Sequence, residues 1–121
     1  MLLHINDSKT VEDLQDHFSE CFPYLKIEFY KEAGGRLKDC DKANLVSPYT
    51  FIGDIRKNTY CGTMDIKSWD KTSKVKNDFK DIFGLTVQIF RLHDGEWMPT
   101  TYSNELTLQQ QYQLSKELYQ I

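Results

Sequence analysis

Apolar and polar positions recur along this chain with two different periods. Leu25, Ile27 and Phe29 alternate with Lys26, Glu28 and Tyr30, the period of two that marks a strand with one buried face. Leu85–Leu92 (LTVQIFRL) is a second such run, and Leu2–Ile5 and Cys61–Trp69 are shorter ones. Between them the period lengthens. Val11, Leu14, Phe18, Cys21 and Phe22 fall at helical spacing, as do Val75, Phe79, Ile82 and Phe83. Ser8 or Thr10 can cap the first helix, with Glu12 and Asp13 favourable in its first turn, and Pro23 ends it. Thr72 or Ser73 is the expected cap of the second, and Gly84 its terminator. Asp94-Gly95 is a hairpin turn signal, and Pro99 confines the returning strand over 96–102 to an edge or a bulge. A last helix is expected over 106–119, capped by Ser103 or Asn104, with Leu106, Gln110, Leu114 and Leu118 along one stripe. Residues 36–59 read least clearly. Ser47-Pro48 could open a short helix bearing Phe51, Ile52 and Ile55, which Gly53 weakens.

The order strand–helix–strand therefore occurs twice. At an offset of 61 residues Ile5 aligns with Ile66, Leu14 with Val75, Phe18 with Phe79, Phe22 with Phe83 and Phe29 with Phe90. The pattern predicts a single α+β domain over 1–121 with a pseudo-repeat at 2–31 and 62–92. The expected architecture is a two-layer sandwich from tandem βαβ units, ferredoxin-like, with right-handed crossovers and an added C-terminal hairpin strand and helix. A β-grasp-like mixed sheet is the alternative.

With 121 residues, 40% of them hydrophobic and 13% aromatic, the chain can bury one ordinary core. The net charge of −3 favours solubility and disfavours nucleic acid and anionic membranes, which select Lys and Arg. The N-terminus lacks the basic and apolar regions of a signal peptide, and no apolar run approaches a membrane span. A cytoplasmic protein is expected.

Candidate chemistry is sparse. Cys21, Cys40 and Cys61 form an odd set without CxxC, which fits neither a disulfide framework nor a zinc site. Cys21 reads as a small hydrophobe on the helix stripe. Cys40 lies between Asp39 and Asp41, whose charges disfavour a thiolate. His4, His17 and His93 share no metal-binding spacing. The 39–44 segment fails the calcium-loop pattern at its sixth position, where Asn44 replaces glycine. Gly34-Gly35-Arg36 lacks the ending of a phosphate loop. No cofactor or metal is expected.

The segment from Lys74 to Gln111 resembles a family of small uncharacterised bacterial proteins. The shared elements are Phe83-Gly84-Leu85, Val87-Gln88, Phe90-Arg91, Gly95-Glu96-Trp97, Thr100-Thr101 and Leu106-Thr107-Leu108 with Gln111; FPYLKIEFYK is similar as well. Glu105-Leu106 departs from the acidic-Trp pair such proteins often carry. The resemblance implies kinship of fold and no activity.

Charge is uneven: Glu12, Asp13, Asp16 and Glu20 stand on the first helix, and Lys67, Lys71, Lys74, Lys76 and Lys80 around the second. Tyr49, Tyr60, Trp69, Trp97 and Tyr102 fall at loops and strand ends, where exposed rings act as contact anchors. The expectation is a non-enzymatic protein–protein interaction module, its partner another protein or a second copy of the chain. One alternative is a small-molecule-binding protein or enzyme with a site near the 36–44 and 93–97 loops, using Asp39, Cys40, His93 and Asp94. The other is an RNA-binding ferredoxin-like domain stacking bases on sheet aromatics.

Overall fold

The computed structural model describes residues 1–31, 42–57 and 61–119, with side chains described as far as Lys116. Five strands and three helices follow the order β1 (Leu2–Ile5), α1 (Val11–Cys21), β2 (Leu25–Tyr30), β3 (Gly62–Asp65), α2 (Thr72–Phe83), β4 (Thr86–His93), β5 (Glu96–Pro99) and α3 (Leu108–Tyr119). Short 3-10 turns lie at Lys42–Asn44, Ile52–Asp54 and Thr101–Ser103. The class is mixed α+β, and all strand pairing is antiparallel.

The strands form two ladders, β1-β3 and β2-β4-β5, where a ferredoxin-like arrangement would run four in one sheet. Leu3 pairs with Met64 and Ile27 with Ile89, so first strands pair with each other and second strands with each other. The handedness rule for parallel crossovers within one sheet has no pair to act on here. Alternation still decides burial. Leu3, Ile5, Met64 and Ile66 face inward from the ribbon, and Leu25, Ile27, Phe29, Val87 and Ile89 from the larger sheet. Both sets join Val11, Leu14 and Phe18 of α1, Val75, Phe79 and Phe83 of α2 and Leu108 of α3 in one core. Phe29 and Phe79 meet edge to face with centroids 5.9 Å apart, a favoured aromatic geometry.

Each helix begins by donating two main-chain N–H groups to another segment. Val11 and Glu12 donate to the carbonyls of Thr50 and Pro48, each at 2.9 Å; Thr72 and Ser73 donate to those of Leu106 and Asn104, also at 2.9 Å. Leu108 and Gln109 donate to Asp70 and Ser68 at 3.1 and 2.8 Å, while Ile52 and Gly53 donate to Lys9 and Asp7 at 2.8 and 3.4 Å. These bonds satisfy donors that a helix start leaves orphaned. They also make the segment around Ile52 stand to α1 as the segment around Leu108 stands to α2. Isolated bridges Thr10–Phe51 and Lys71–Thr107 complete the correspondence.

The caps differ in kind. Thr10 caps α1 in a full capping box with Asp13. The cap position of α2 is Lys71, without a side-chain bond; Thr72, expected as the cap, is buried as the first helical residue and donates its hydroxyl to Leu106 O at 2.8 Å. Gly84 ends α2 in the left-handed region, φ 64°, a conformation costly for side chains with a Cβ. α3 starts two residues later than expected. Thr107 Oγ1 accepts from Gln110 N, and Thr107 N donates to Gln110 Oε1. Its buried face is Leu108, Gln111 and Ser115, while Leu114 is exposed. The expected stripe through Leu106 and Leu114 fails because Gln111 is satisfied inside: its Nε2 donates to Ser103 O at 2.8 Å and Thr72 Oγ1 at 3.2 Å.

Candidate functional site

An open groove runs between the C-terminal end of α1, the segment leading into α2, and the first turns of α3. One end is a hollow of about 260 Å³ lined by Cys21, Phe22, Pro23, Ser68, Gln109 and Tyr112. The other, about 470 Å³, shares Cys21, Phe22 and Ser68 and adds Met1, Asp65, Ile66, Lys67 and Trp69. Local chemistry places each wall. Pro23 stops α1 so that Cys21 and Phe22 form its last turn, with Phe22 N donating to Phe18 O at 2.9 Å. The turn at Lys67–Asp70 is closed by Asp70 N to Lys67 O and by Lys67 N to the Asp70 carboxylate, both 3.0 Å. It holds out Trp69, which is 69% exposed. Tyr112 stacks on Tyr24, centroids 5.8 Å apart.

Cys21, expected inside, is exposed in this groove. The helix turns its core face through Phe18 and Phe22, and the chain breaks off at Pro23 before another element covers Cys21. Asp65 is held below the usual carboxylate range, chiefly by its hydrogen bond from Lys67. The last turn of α1 contains no basic residue, whereas that of α2 contains Lys80. The charges lining the groove are mixed: the Asp65 carboxylate is paired with Lys67 Nζ at 2.8 Å and lies 3.8 Å from the N-terminal ammonium.

The other expected contact residues are spread over different elements. Tyr49 is exposed in the turn before the Ile52–Asp54 segment, with Phe51 and Leu45 also half-exposed nearby in sequence. Tyr102 is fully exposed in the 3-10 turn after β5. Trp97 lies on β5, where Lys26 Nζ sits 5.1 Å from its ring centroid and 5.2 Å from that of Phe90, within cation–π range. Only Trp69 lines the groove. Tyr60, Asp39, Cys40, Asp41 and Gly34–Arg36 lie outside the described residues.

β5 is the edge of its sheet, as Pro99 requires. Thr100 N donates to Ile89 O at 3.0 Å, which fixes the alternation: Glu96 and Met98 bond toward β4, Trp97 and Pro99 away from it. The outward edge thus lacks the donor that Pro99 cannot supply, and it is a poor template for an added strand. The outer edge of β2 is covered. Carbonyls of Leu25, Ile27 and Phe29 accept from Ser19 Oγ, Gln15 Nε2 and Val46 N at 3.2, 2.9 and 2.9 Å.

At the hairpin, His93 Nδ1 and Arg91 Nε, two residues apart on one strand, are buried and lack a hydrogen-bond partner. His4 Nδ1 bonds Thr63 Oγ1 across the small ribbon at 2.9 Å. Among the described residues no group of three or more His, Cys, Asp or Glu could hold a metal ion, and no helix is long and apolar enough to cross a membrane. No family model, no curated protein and no solved structure matches this chain.

Proposed function

We propose that this protein is a non-enzymatic protein–protein interaction module and that the groove beneath Trp69 is its contact surface. The observation that carries the reading is the largely exposed indole standing at the rim of an open groove with Phe22 and Ile66 in its wall. Tryptophan is the residue type most enriched at energetically dominant contact positions, because one ring buries a large area with little loss of rotamer freedom. At such a rim it gains that area only when something covers it.

RNA binding is less well supported. The one described cluster of rings on the larger sheet, Phe90 with Trp97, has the Lys26 ammonium over both ring faces, which a stacking base would need to displace.

The test is site-specific photo-crosslinking in the cells that make the protein. A benzoylphenylalanine at position 69 should capture one discrete protein, and a product of twice the chain mass identifies a second copy. The same group at Asp54, exposed in the 3-10 turn, serves as control. No product at position 69, or the same products from both positions, overturns the reading.

A further inference from the structure

Among the described residues four buried side-chain polar atoms lack a hydrogen-bond partner, and three of them fall on one helix–strand pair: Arg91 Nε and His93 Nδ1 on β4, and Ser115 Oγ on α3. Arg91 and His93 continue the inward row of Val87 and Ile89, because alternate residues of a strand share a face. Arg91 stands opposite the buried Leu25 in the ladder. α3 packs against β4, with Leu108, Gln111 and Ser115 on its buried side. The stack of Tyr112 on Tyr24, centroids 5.8 Å apart, and the 2.9 Å bond from Leu92 N to Tyr24 O fix the level of that contact. Leu92 lies between Arg91 and His93, so the turn of α3 that carries Ser115 comes down at this end of the strand.

Buried polar atoms in native proteins are paired, and a cation's donor shut off from water without an acceptor is among the costliest exceptions. No carboxylate of the chain supplies the acceptor here: among the described residues neither Arg91 nor His93 forms an ion pair. Glu96, the cross-strand neighbour of His93, is exposed and pairs with neither. Ser115 Oγ does not bond the carbonyl one turn back, the usual recourse of a helical serine. Lys116 adds a second positive charge next to it, with Nζ 5.7 Å from the Tyr112 ring centroid. We propose that this end of the β4–α3 contact binds a tetrahedral oxyanion, a phosphate group. Arg91 Nε donates to one oxygen, His93 to a second in the tautomer with its proton on Nδ1, and Ser115 Oγ to a third. Three donors from two elements suit a tetrahedral anion; a planar carboxylate is satisfied by the guanidinium fork alone. Arg91 and His93 are half-buried and Ser115 is fully buried, so the anion enters past the strand's side chains and meets the serine at the floor. This site does not rest on the groove or its partner.

The experiment titrates inorganic phosphate into the whole protein at constant ionic strength, followed by NMR of the arginine side chains and the main-chain amides. The expected result is a saturable shift of the Arg91 Nε–H signal together with the His93 and Ser115 amides. The Arg56 Nε–H, already paired with Asp7, and the Trp69 indole N–H should stay in place. Arg91→Lys keeps the charge but loses the fork and should weaken binding by about tenfold or more. Ser115→Ala removes a donor that no protein group uses, so it should weaken binding several-fold while the phosphate-free melting temperature stays level or rises. Phosphoserine is titrated in parallel: binding tighter than inorganic phosphate assigns the site to a phosphate carried on a larger molecule, weaker binding to the free ion. An Arg91 signal unmoved at millimolar phosphate overturns the proposal and leaves these atoms to bound water. Equal movement of Arg56, full affinity in Arg91→Lys, or acetate bound as tightly as phosphate overturns it as well.

Discussion

Gln111 is fully buried and ties α3 to two other elements, so its replacement should cost stability on the scale of truncating a buried apolar residue. Its carboxamide donates to Ser103 O at 2.8 Å and Thr72 Oγ1 at 3.2 Å and accepts from Ser103 Oγ at 3.3 Å. Gln111→Met keeps the volume and removes these bonds. Thr72 Oγ1 retains Leu106 O and Ser103 O retains Leu106 N at 3.0 Å, so no acceptor is orphaned and the cost is that of the lost hydrogen bonds, about 1 kcal/mol. Gln111→Ala adds a cavity, for a total of about 2–4 kcal/mol and a fall in Tm on the order of 10 °C. Gln111→Glu sets a carboxylate against Ser103 O. Burial and the neighbouring carbonyl raise that carboxyl's folded pKa above its unfolded value, so the variant should be most stable in acid and lose stability as pH rises toward neutrality. Urea unfolding followed by tryptophan fluorescence measures all three. Midpoints within about 0.5 kcal/mol of wild type at unchanged slope would refute the claim that this amide locks α3 in place.

Three further outcomes follow from the same packing. Phe79→Ala, at the centre of the core, should cost about 3–5 kcal/mol, while Trp69→Ala should stay within about 0.5 kcal/mol; the contrast in urea midpoints separates a core ring from a contact ring. Gly53→Ala places a Cβ 2.9 Å from Asp7 Cβ and should destabilise by about 1–3 kcal/mol; a gain of about 0.5–1 kcal/mol, as for an unobstructed glycine, would contradict the close approach. Thr10→Ala should cost about 1 kcal/mol and raise Asp13 only part of the way, because the backbone N–H of residue 10, the chief cause of its lowered value, still donates to the carboxylate while the side-chain bond is lost. Because Asp13 and Asp65 are both depressed in the folded state, their contributions are complete above the unfolded carboxylate range and disappear as pH falls through the folded values. Carboxyl NMR titration should show Asp13 rising in Thr10→Ala and Asp65 unchanged.

The local elements were legible because their signals were local. Alternation over 25–30 and 86–92, the Thr10 cap, Pro23, Gly84 and Asp94-Gly95 each act within a few residues, and each holds its expected place. Strand partnership was not legible. Nothing in the alternation says whether β1 pairs beside β2 or with β3, because either choice buries Leu3 and Ile5. The third helix misled for a chemical reason: its buried face includes Gln111 and Ser115, and an apolar stripe cannot reveal polar residues satisfied by distant segments. Cys21 fell one side of the helix from where its spacing placed it, since a helix's last turn has no following turn to cover it. The groove was beyond the sequence reading because it joins residues 21–23, 65–69 and 109–112, far apart in the chain and brought together by the Gln109 N to Ser68 O bond, the stacking of Tyr112 on Tyr24 and core packing of Phe22 and Ile66.

Photo-crosslinking from position 69 tests the groove most directly. The account predicts one discrete captured protein that the same group at position 54 does not capture. No product from position 69, or the same products from both positions, would contradict it.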